Sequence, residues 1–594
     1  MKSVDYPFDS GYLLSKRKQL KRMLMEGGTD WIEKNIAILG GSTTHDIKDM
    51  LELFLLNEGI CAQFYESEYN QFWQDAMFPN VSLEKFKPDV IFIHTSLRNI
   101  ISFPELGDSP QDVSSLIEKE FQRFSAMWDR LHKVYGCVII QNNFEYPYWR
   151  LMGNQDATDI HGKVNFVIRL NLKFAEYAQT HDNFYINDIN YLSADYGIEK
   201  WSDPFCWHMY KYSLAIQAIP FLAFSVANII KSVYGKNKKA FVLDLDNTLW
   251  GGVVGDDGAE GIQIGQETPM SQVYSEFQSY IKTHKNLGII LNVISKNEPE
   301  NALAGLNHPD GTLKPEDFIT IRANWEPKSQ NLIDIAHELS LLPESFVFVD
   351  DNPAERDIIR QQVPNACVPE VGSQPEYFIK ILDRSGFFEV TSLTADDINR
   401  GEMYQSNAAR SRQQAAFADY GEYLKSLCMK AVIKSFEPIY MQRIAQLTNK
   451  SNQFNLTTKR YTKDEIEAIS VSPGHITLYG KLVDKFGDNG IVAITIGEIK
   501  EKNLHIILWL MSCRVLKRDM EFAMMDELVH QCKLRGLNGI TGYYYPTAKN
   551  AMVRDFYDKQ GFTLVSEDEN GNRTYSLDIS ESYKNKNMYI EVNK

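Results

Sequence analysis

The chain has 594 residues, 44% hydrophobic and 24% charged. At roughly 150 residues per domain this is enough for three or four globular domains and too much for one core. Lysine and arginine number 62 against 78 aspartate and glutamate, a net charge of −16, which leaves no basic field for a phosphate backbone and excludes nucleic acid as an expected partner.

Cys61, Cys137, Cys206, Cys367, Cys428, Cys513 and Cys532 are odd in number and far apart, without a Cys-x-x-Cys pair. Neither a disulfide framework nor a structural zinc site is expected, and a reducing cytoplasm fits. Met1 to Asp5, Asp9 and Lys16-Arg17-Lys18 lack the apolar run of a secretory signal. Leu214 to Ile230 is the most apolar stretch, but Gln217, Pro220, Ser225 and Asn228 interrupt it short of the ~20 residues that span a bilayer. A buried helix is expected there, and no membrane partner.

In chain order, Ile36 to Leu39, Val90 to Ile93 and Val138 to Ile140 are β-branched runs separated by amphipathic segments such as Val113 to Leu131. This pattern predicts a parallel sheet covered on both faces, over residues 1–235. The Lys-rich break Gly235 to Lys239 opens a second alternating module, 236–393. It contains strands at 240–244, 289–294 and 346–349 and helices at 271–287 and 329–339. A polar helical connector, 394–417, leads to a third module, 418–580. There, strand-like runs at 475–482, 490–499 and 504–511 precede a helix at 517–534, a strand at 539–545 and a helix at 548–560. Strands before helices indicate an α+β domain. Residues 581–594 are left as a C-terminal tail. The fold class is therefore multidomain α/β.

The second module carries the strongest chemical signal. Asp244 and Asp246, in Asp244-Leu245-Asp246-Asn247-Thr248, leave the carboxyl end of a buried strand, where open α/β sheets place ligands. Carboxylates this close call for a cation. Mg²⁺ between the Asp244 carboxylate and the Asp246 backbone carbonyl would relieve the repulsion and polarise a phosphate. Asp244 is then the nucleophile and Asp246 the acid/base. Ser295 at the end of a strand and Lys328 at a helix start supply phosphate contacts, and Asp350-Asp351 after a third strand completes the metal set of Asp244, Asp246, Asp350 and Asp351. In this order the motifs resemble the haloacid dehalogenase (HAD) superfamily, implying a Rossmann-like aspartyl phosphotransferase domain. Only a Gly-rich flap, Gly251 to Gly258, and one helix fit between Asp244 and Ser295, so no large cap is expected.

The wording Leu243-Asp244-Leu245-Asp246-Asn247-Thr248-Leu249-Trp250-Gly251-Gly252 is narrower and is similar to the FkbH-like family, as are Val293 to Asn297, Val349 to Arg356, Asn449 to Thr458, Phe486-Gly487-Asp488-Asn489-Gly490 and Ser512 to Leu516. Gly40 to Thr44 extends the resemblance into the first module. It implies loading of a glyceryl unit from 1,3-bisphosphoglycerate, a small phosphorylated acyl donor, onto an acyl carrier protein bearing phosphopantetheine. Such loading needs a thiol acceptor, because thioester exchange with a carrier thiol is nearly isoenergetic. Cys513 is the first choice, with Arg514, Lys517, Arg518 and a helix start nearby. Cys206, beside His208, is the competing thiol. The third module's order of elements, with Asn550 to Phe562, resembles an N-acetyltransferase (GNAT-like) fold. The Arg514 to Glu521 stretch has no glycine where that family grips a pyrophosphate.

In the first module Ser42, Asn143, Asp203 and His208 form a set resembling SGNH-type hydrolases, with Ser42 as nucleophile and Asn143 as oxyanion donor. Their spacing departs from that family's, so catalysis and an inherited docking scaffold both stand. His94 is expected to be a satisfied strand-end histidine. For the whole chain, two rivals remain: a plain phosphatase acting on a free metabolite, and an assembly scaffold.

Overall fold

The computed structural model describes residues 4–28, 31–414, 417–451, 453–512, 515–547, 549–579 and 583–593. The chain divides into two compact units, Met1–Val233 and Tyr234–Lys594. It is a mixed α/β protein throughout, with two parallel sheets and one mixed sheet.

The first unit holds five parallel strands, β1 (Ile32–Gly40), β2 (Ile60–Glu66), β3 (Val90–His94), β4 (Val138–Asn142) and β5 (Phe184–Asn187), in the order β2-β1-β3-β4-β5. Successive side chains alternate between faces, so Ala37, Leu39, Ile91 and Ile93 meet Phe124, Trp128 and Phe174 on one face. Ile36, Ile38 and Phe92 are buried on the other. The chain leaves β1 for β2 on one side and then crosses to β3 on the other. Their carboxyl ends therefore form a switch point, where Ser42 and His94 lie. The apolar stretch lies largely in the helix Ile219–Val233, and 67% of the window Ile216–Val233 is buried within the protein, as expected for a core helix.

The second unit opens with β6 (Ala240–Leu243), β7 (Ile290–Ser295), β8 (Phe318–Ala323) and β9 (Phe346–Val349), all parallel, in the order β8-β7-β6-β9. Its switch point lies between β6 and β9. Between Asp244 and Asp351 the chain builds the flap, the helices Pro269–His284, Pro299–Leu306 and Lys328–Glu338, short turns and β8, and no separate cap domain.

The connector is two helices, Ala395–Ile398 and Arg400–Gln414. Beyond it stands a nine-stranded sheet: β10 (Met429–Lys434), β11 (Phe454–Asn455), β12 (His475–Asp484), β13 (Gly487–Lys500), β14 (Asn503–Met511), β15 (Gly539–Tyr544), β16 (Thr563–Glu567), β17 (Arg573–Asp578) and β18 (Ile590–Asn593). Three features differ from expectation. The helix expected from Lys517 starts at Met520, because Lys517 and Asp519 have φ of 62° and 61°, in the left-handed region. In place of a helix over 548–560 there are a 3-10 turn Ala551–Val553 and a short helix Phe556–Lys559. Asn550, fully buried, spends its side chain on the carbonyls of Asn455 and Tyr545 instead of capping a helix. The expected tail contributes β18, paired parallel to β10.

β14 and β15 pair as parallel strands only from Asn503–Ile506 against Gly539–Gly542. Past that point the segment containing β11 stands between them. β11 pairs with β14 at Met511 and Leu510, Leu456 N–H donates to Trp509 O (3.0 Å), and Tyr545 N–H donates to Leu456 O (2.9 Å). Backbone groups that two parting strands would leave unpaired are satisfied by the chain itself.

Candidate active site

Asp244 follows β6, and its N–H donates to Val349 O (3.0 Å), which ties it to the end of β9. Asp350 and Asp351 follow directly. Carboxylate oxygens of Asp244, Asp350 and Asp351 come within 4.8 Å of one another. Lys328, the first residue of its helix, places Nζ 3.0 Å from Asp244 Oδ2 and 2.7 Å from Asp350 Oδ2. Lys328 is 4% exposed and Asp350 0%. One buried ammonium thus faces three carboxylates.

The proton affinities follow from that crowding. Burial, and then the Asp244 charge, push both Asp350 and Asp351 above the usual carboxylate range. Burial works against the Lys328 charge, but Asp244 and Asp350 outweigh it and hold the ammonium above its ordinary value. Asp244 Oδ1 is buried without a hydrogen-bond partner among the described residues. An all-oxygen set with an orphaned lone pair suits a hard divalent cation, so these residues fit Mg²⁺.

Asp246 plays a different part. Its Oδ1 accepts from Trp250 Nε1 (2.9 Å) and Val254 N–H (3.0 Å), and its Oδ2 accepts from Asn297 Nδ2 (2.8 Å). Burial raises its pKa first, while these donors pull it back. Its carboxylate lies outside the group formed by the other three. A carboxyl held this way is placed to exchange a proton. Ser295 is the last residue of β7 and 2% exposed.

Sequence reasoning gave no role to three residues that brace this site. Asn297 fixes Asp246. Thr248 Oγ1 donates to Asp351 Oδ1 (3.3 Å) and accepts from Asp351 N–H (3.2 Å). Arg356, 2% exposed, donates from Nη1 to the carbonyls of Asp350 (2.8 Å) and Asp351 (2.7 Å) and pairs with Glu370. Their presence inside the quoted motifs was the only signal. Arg356→Ala is expected to cost about 1–3 kcal/mol by stranding the carbonyls of Asp350 and Asp351, while Glu370, half exposed, keeps Arg360; thermal or urea unfolding reads it.

In the first unit the expected hydrolase-like residues are bonded elsewhere. Ser42 Oγ meets Ser213 Oγ (3.2 Å), Ser213 Oγ meets His94 Nε2 (3.2 Å), and His94 Nδ1 meets Asn142 Nδ2 (2.9 Å). Asn143 instead holds Asp188 and the backbone of Asn190. Asp203 caps the helix Pro204–Tyr210, on which His208 is exposed. The histidine linked to Ser42 is thus His94, through Ser213. Because Asn142 Nδ2 also donates to Thr95 O, it is the donor toward His94 Nδ1. Nε2 then carries the proton, and burial lowers the His94 pKa to about 4. A neutral His94 with that tautomer donates to Ser213 and cannot take its proton. His94→Ala is expected to cost roughly 1–3 kcal/mol of stability without changing phosphate release, whereas Ser42→Ala should change neither by much. Unfolding curves and phosphate assays separate the two.

Of the candidate thiols, Cys513 lies outside the described residues. Cys206 is 5% exposed, and its Sγ donates to Asp203 Oδ2 (3.1 Å). Burial and then that carboxylate raise its pKa, the opposite of a thiolate. Asn449 and Asn455 bond to nearby backbone, Asn455 Oδ1 accepting from Thr457 and Thr458 N–H in a turn.

Residues 35–231 match the model of the FkbH N-terminal domain. The chain is also similar to the N-terminal part of the protein BF1531 from Bacteroides fragilis, a crystal structure containing a phosphatase domain complexed with Mg. Identity is 29%, over 64% of this chain and 99% of that one, with a TM-score of 0.58. Residues 35–231 are thus similar to the FkbH N-terminal domain. Two acetyltransferases align over smaller parts of this chain. The ribosomal-protein-S18-alanine N-acetyltransferase from Escherichia coli is 13% identical over 27% of this chain and 99% of its own, with a TM-score of 0.21. A GNAT-family acetyltransferase from Streptococcus pneumoniae is 15% identical over 25% and 100%, with a TM-score of 0.22. No curated protein matches.

Proposed function

We propose that this FkbH-like protein is a Mg²⁺-dependent phosphatase of the HAD type coupled to acyl transfer. It captures a glyceryl unit from 1,3-bisphosphoglycerate as an enzyme thioester, removes the remaining phosphate and loads the unit onto an acyl carrier protein. The observation that carries the phosphatase half is the buried Asp244–Lys328–Asp350 cluster, with Asp244 Oδ1 left unpartnered. BF1531, similar in fold and sequence, has a phosphatase domain crystallised with Mg.

Asp244, Asp350 and Asp351 would hold the Mg²⁺, with the Asp246 backbone carbonyl. Bound there, the ion offsets the carboxylate charge and that of a phosphate. Asp244 attacks phosphorus, the bond to the leaving oxygen breaks, and Asp246, protonated, gives that oxygen its proton. Asp246 then takes a proton from the water that attacks the phosphoaspartate, releasing inorganic phosphate and restoring Asp244. Ser295 and Lys328 bind phosphate oxygens. In the acyl half the Cys513 thiolate attacks the carbonyl of the acyl phosphate and phosphate leaves. A carrier thiol later displaces Cys513. No cap domain is inserted between Asp244 and Asp351, which suits a phosphate carried on a tethered substrate.

The phosphatase half is tested by phosphate release from 3-phosphoglycerate and from phosphoglyceryl-loaded protein, with Mg²⁺ and after chelation. Release that needs Mg²⁺ and Asp244 is expected. Release unaffected by chelation contradicts it.

A further inference from the structure

Trp325 is 68% exposed, on the loop that joins the two phosphate contacts of the Asp244 site. It stands three residues before Lys328, and its neighbour Asn324 donates its backbone N–H to Ser295 O (3.1 Å). The ring is held in place. Trp325 Nε1 donates to Glu298 Oε1 (2.7 Å), on the loop after β7, so the indole spans the loops that follow β7 and β8. Asn324 and Asn331 bond to each other through both side-chain amides (3.2 and 2.8 Å), and Asn324 Oδ1 accepts from Glu326 N–H (3.1 Å). Asn331 is buried in the helix that begins with Lys328. A single aromatic side chain on a surface needs no explanation. One fixed from two sides beside a phosphate site is a preformed contact for what that site holds.

Its chemistry limits what it can recognise. The one donor of the indole is spent on Glu298, so the apolar ring face is what remains to offer. The loops around it are acidic. Glu298, Glu300 and Glu326 are exposed there, as are Asp256 and Asp257 on the flap, where Val254 N–H reaches Asp246 Oδ1 (3.0 Å). Lys296 is the only lysine or arginine among residues 251–258, 295–301 and 323–327, and Glu355 takes it (2.6 Å). A phosphate has Ser295 and Lys328, both buried, to receive it. A second negative charge carried out to this rim meets carboxylates.

We infer that Trp325 is a specificity-determining residue of the phosphatase site: an uncharged segment of the substrate lies on its ring, and the surrounding carboxylates disfavour a substrate whose far end is anionic. This role presupposes the phosphatase reading. It ranks a phosphoglyceryl group in thioester linkage, whose acyl end carries no charge, ahead of free 3-phosphoglycerate, whose carboxylate does.

Phosphate release by the full chain with Mg²⁺ is compared for 3-phosphoglycerate, for its neutral thioester with N-acetylcysteamine, and for phosphocholine, whose far end is cationic. The thioester is expected to have the highest kcat/KM. Trp325→Ala should lower the ratio of thioester to 3-phosphoglycerate about tenfold, through KM, and Trp325→Phe, which keeps a ring without the donor, should recover most of it. Glu300→Gln combined with Glu326→Gln should raise kcat/KM for 3-phosphoglycerate about two- to fivefold, and added salt should narrow the gap between the two substrates in the wild type. Titration calorimetry on Asp244→Asn, which lacks the nucleophile, should give the same order of affinities. Loss of kcat on both substrates alike in Trp325→Ala would make the residue structural and overturn the inference. A preference for 3-phosphoglycerate or for phosphocholine would overturn it too, and either leaves the phosphatase reading standing. Release from none of the three contradicts the phosphatase reading itself, and the role of Trp325 with it.

Discussion

Asp244→Asn is expected to lower phosphate release by roughly 10³-fold or more while the protein stays folded. The amide is isosteric, so the contacts around β6 and β9 persist, including the hydrogen bond from Asp244 N–H to Val349 O. What goes is the nucleophilic oxygen, and with it one carboxylate of the three gathered within 4.8 Å. Two readouts are needed: phosphate release under saturating Mg²⁺, and near-ultraviolet circular dichroism to confirm packing. An unchanged rate would remove Asp244 from the chemistry. A lost rate with lost packing would say only that the residue is structural.

Lys328→Met is expected to be the most destabilising change in the site, by about 3–5 kcal/mol without metal. The methionine fills the volume, but Asp244 and Asp350 lose the cation 3.0 and 2.7 Å away and are left buried together. Burial and the Asp244 charge already raise the Asp350 pKa with Lys328 in place, so both cannot remain ionised once it is gone. A bound divalent cation replaces part of that charge. Mg²⁺ should therefore raise the melting temperature of the variant more than that of the wild type, through ordinary ligand linkage. Differential scanning calorimetry with Mg²⁺ and with chelator makes the comparison. Equal shifts in both proteins would place the ion away from Lys328.

The parallel strands β6, β7 and β9 were legible because each is an apolar run buried on both faces, β9 included although it stands at the sheet edge. β8, Phe318-Ile319-Thr320-Ile321-Arg322-Ala323, was missed: it is an edge strand, and Thr320 and Arg322 interrupt the run. β2 and β5 are edges of their sheet and were missed likewise, while β16 is exposed at every residue. β10 and β18 pair across most of the third module, and nothing local marks such a partner. In the site, Asp244, Ser295, Lys328, Asp350 and Asp351 could be found because each sits at an element end that the pattern places on one edge. Ser213 could not, since its bond to Ser42 joins residues 171 apart in sequence. Asp203 and His208 looked like a pair by spacing alone, but Asp203 is spent on capping the helix that carries His208 outward. Asp519 is of a type that tolerates the left-handed region, but the positive φ at Lys517, which helps delay the helix after β14, has no signature in a lysine.

The most direct test of coupled dephosphorylation and acyl transfer is the intact mass of the protein after incubation with Mg²⁺ and 1,3-bisphosphoglycerate, for wild type, Cys513→Ala, Cys206→Ala and Asp244→Asn. The expected result is a glyceryl adduct on wild type and Cys206→Ala, none on Cys513→Ala, and a phosphoglyceryl adduct retained by Asp244→Asn. Phosphate released by the wild type with no adduct on any variant would contradict the acyl-transfer account and leave a plain phosphatase.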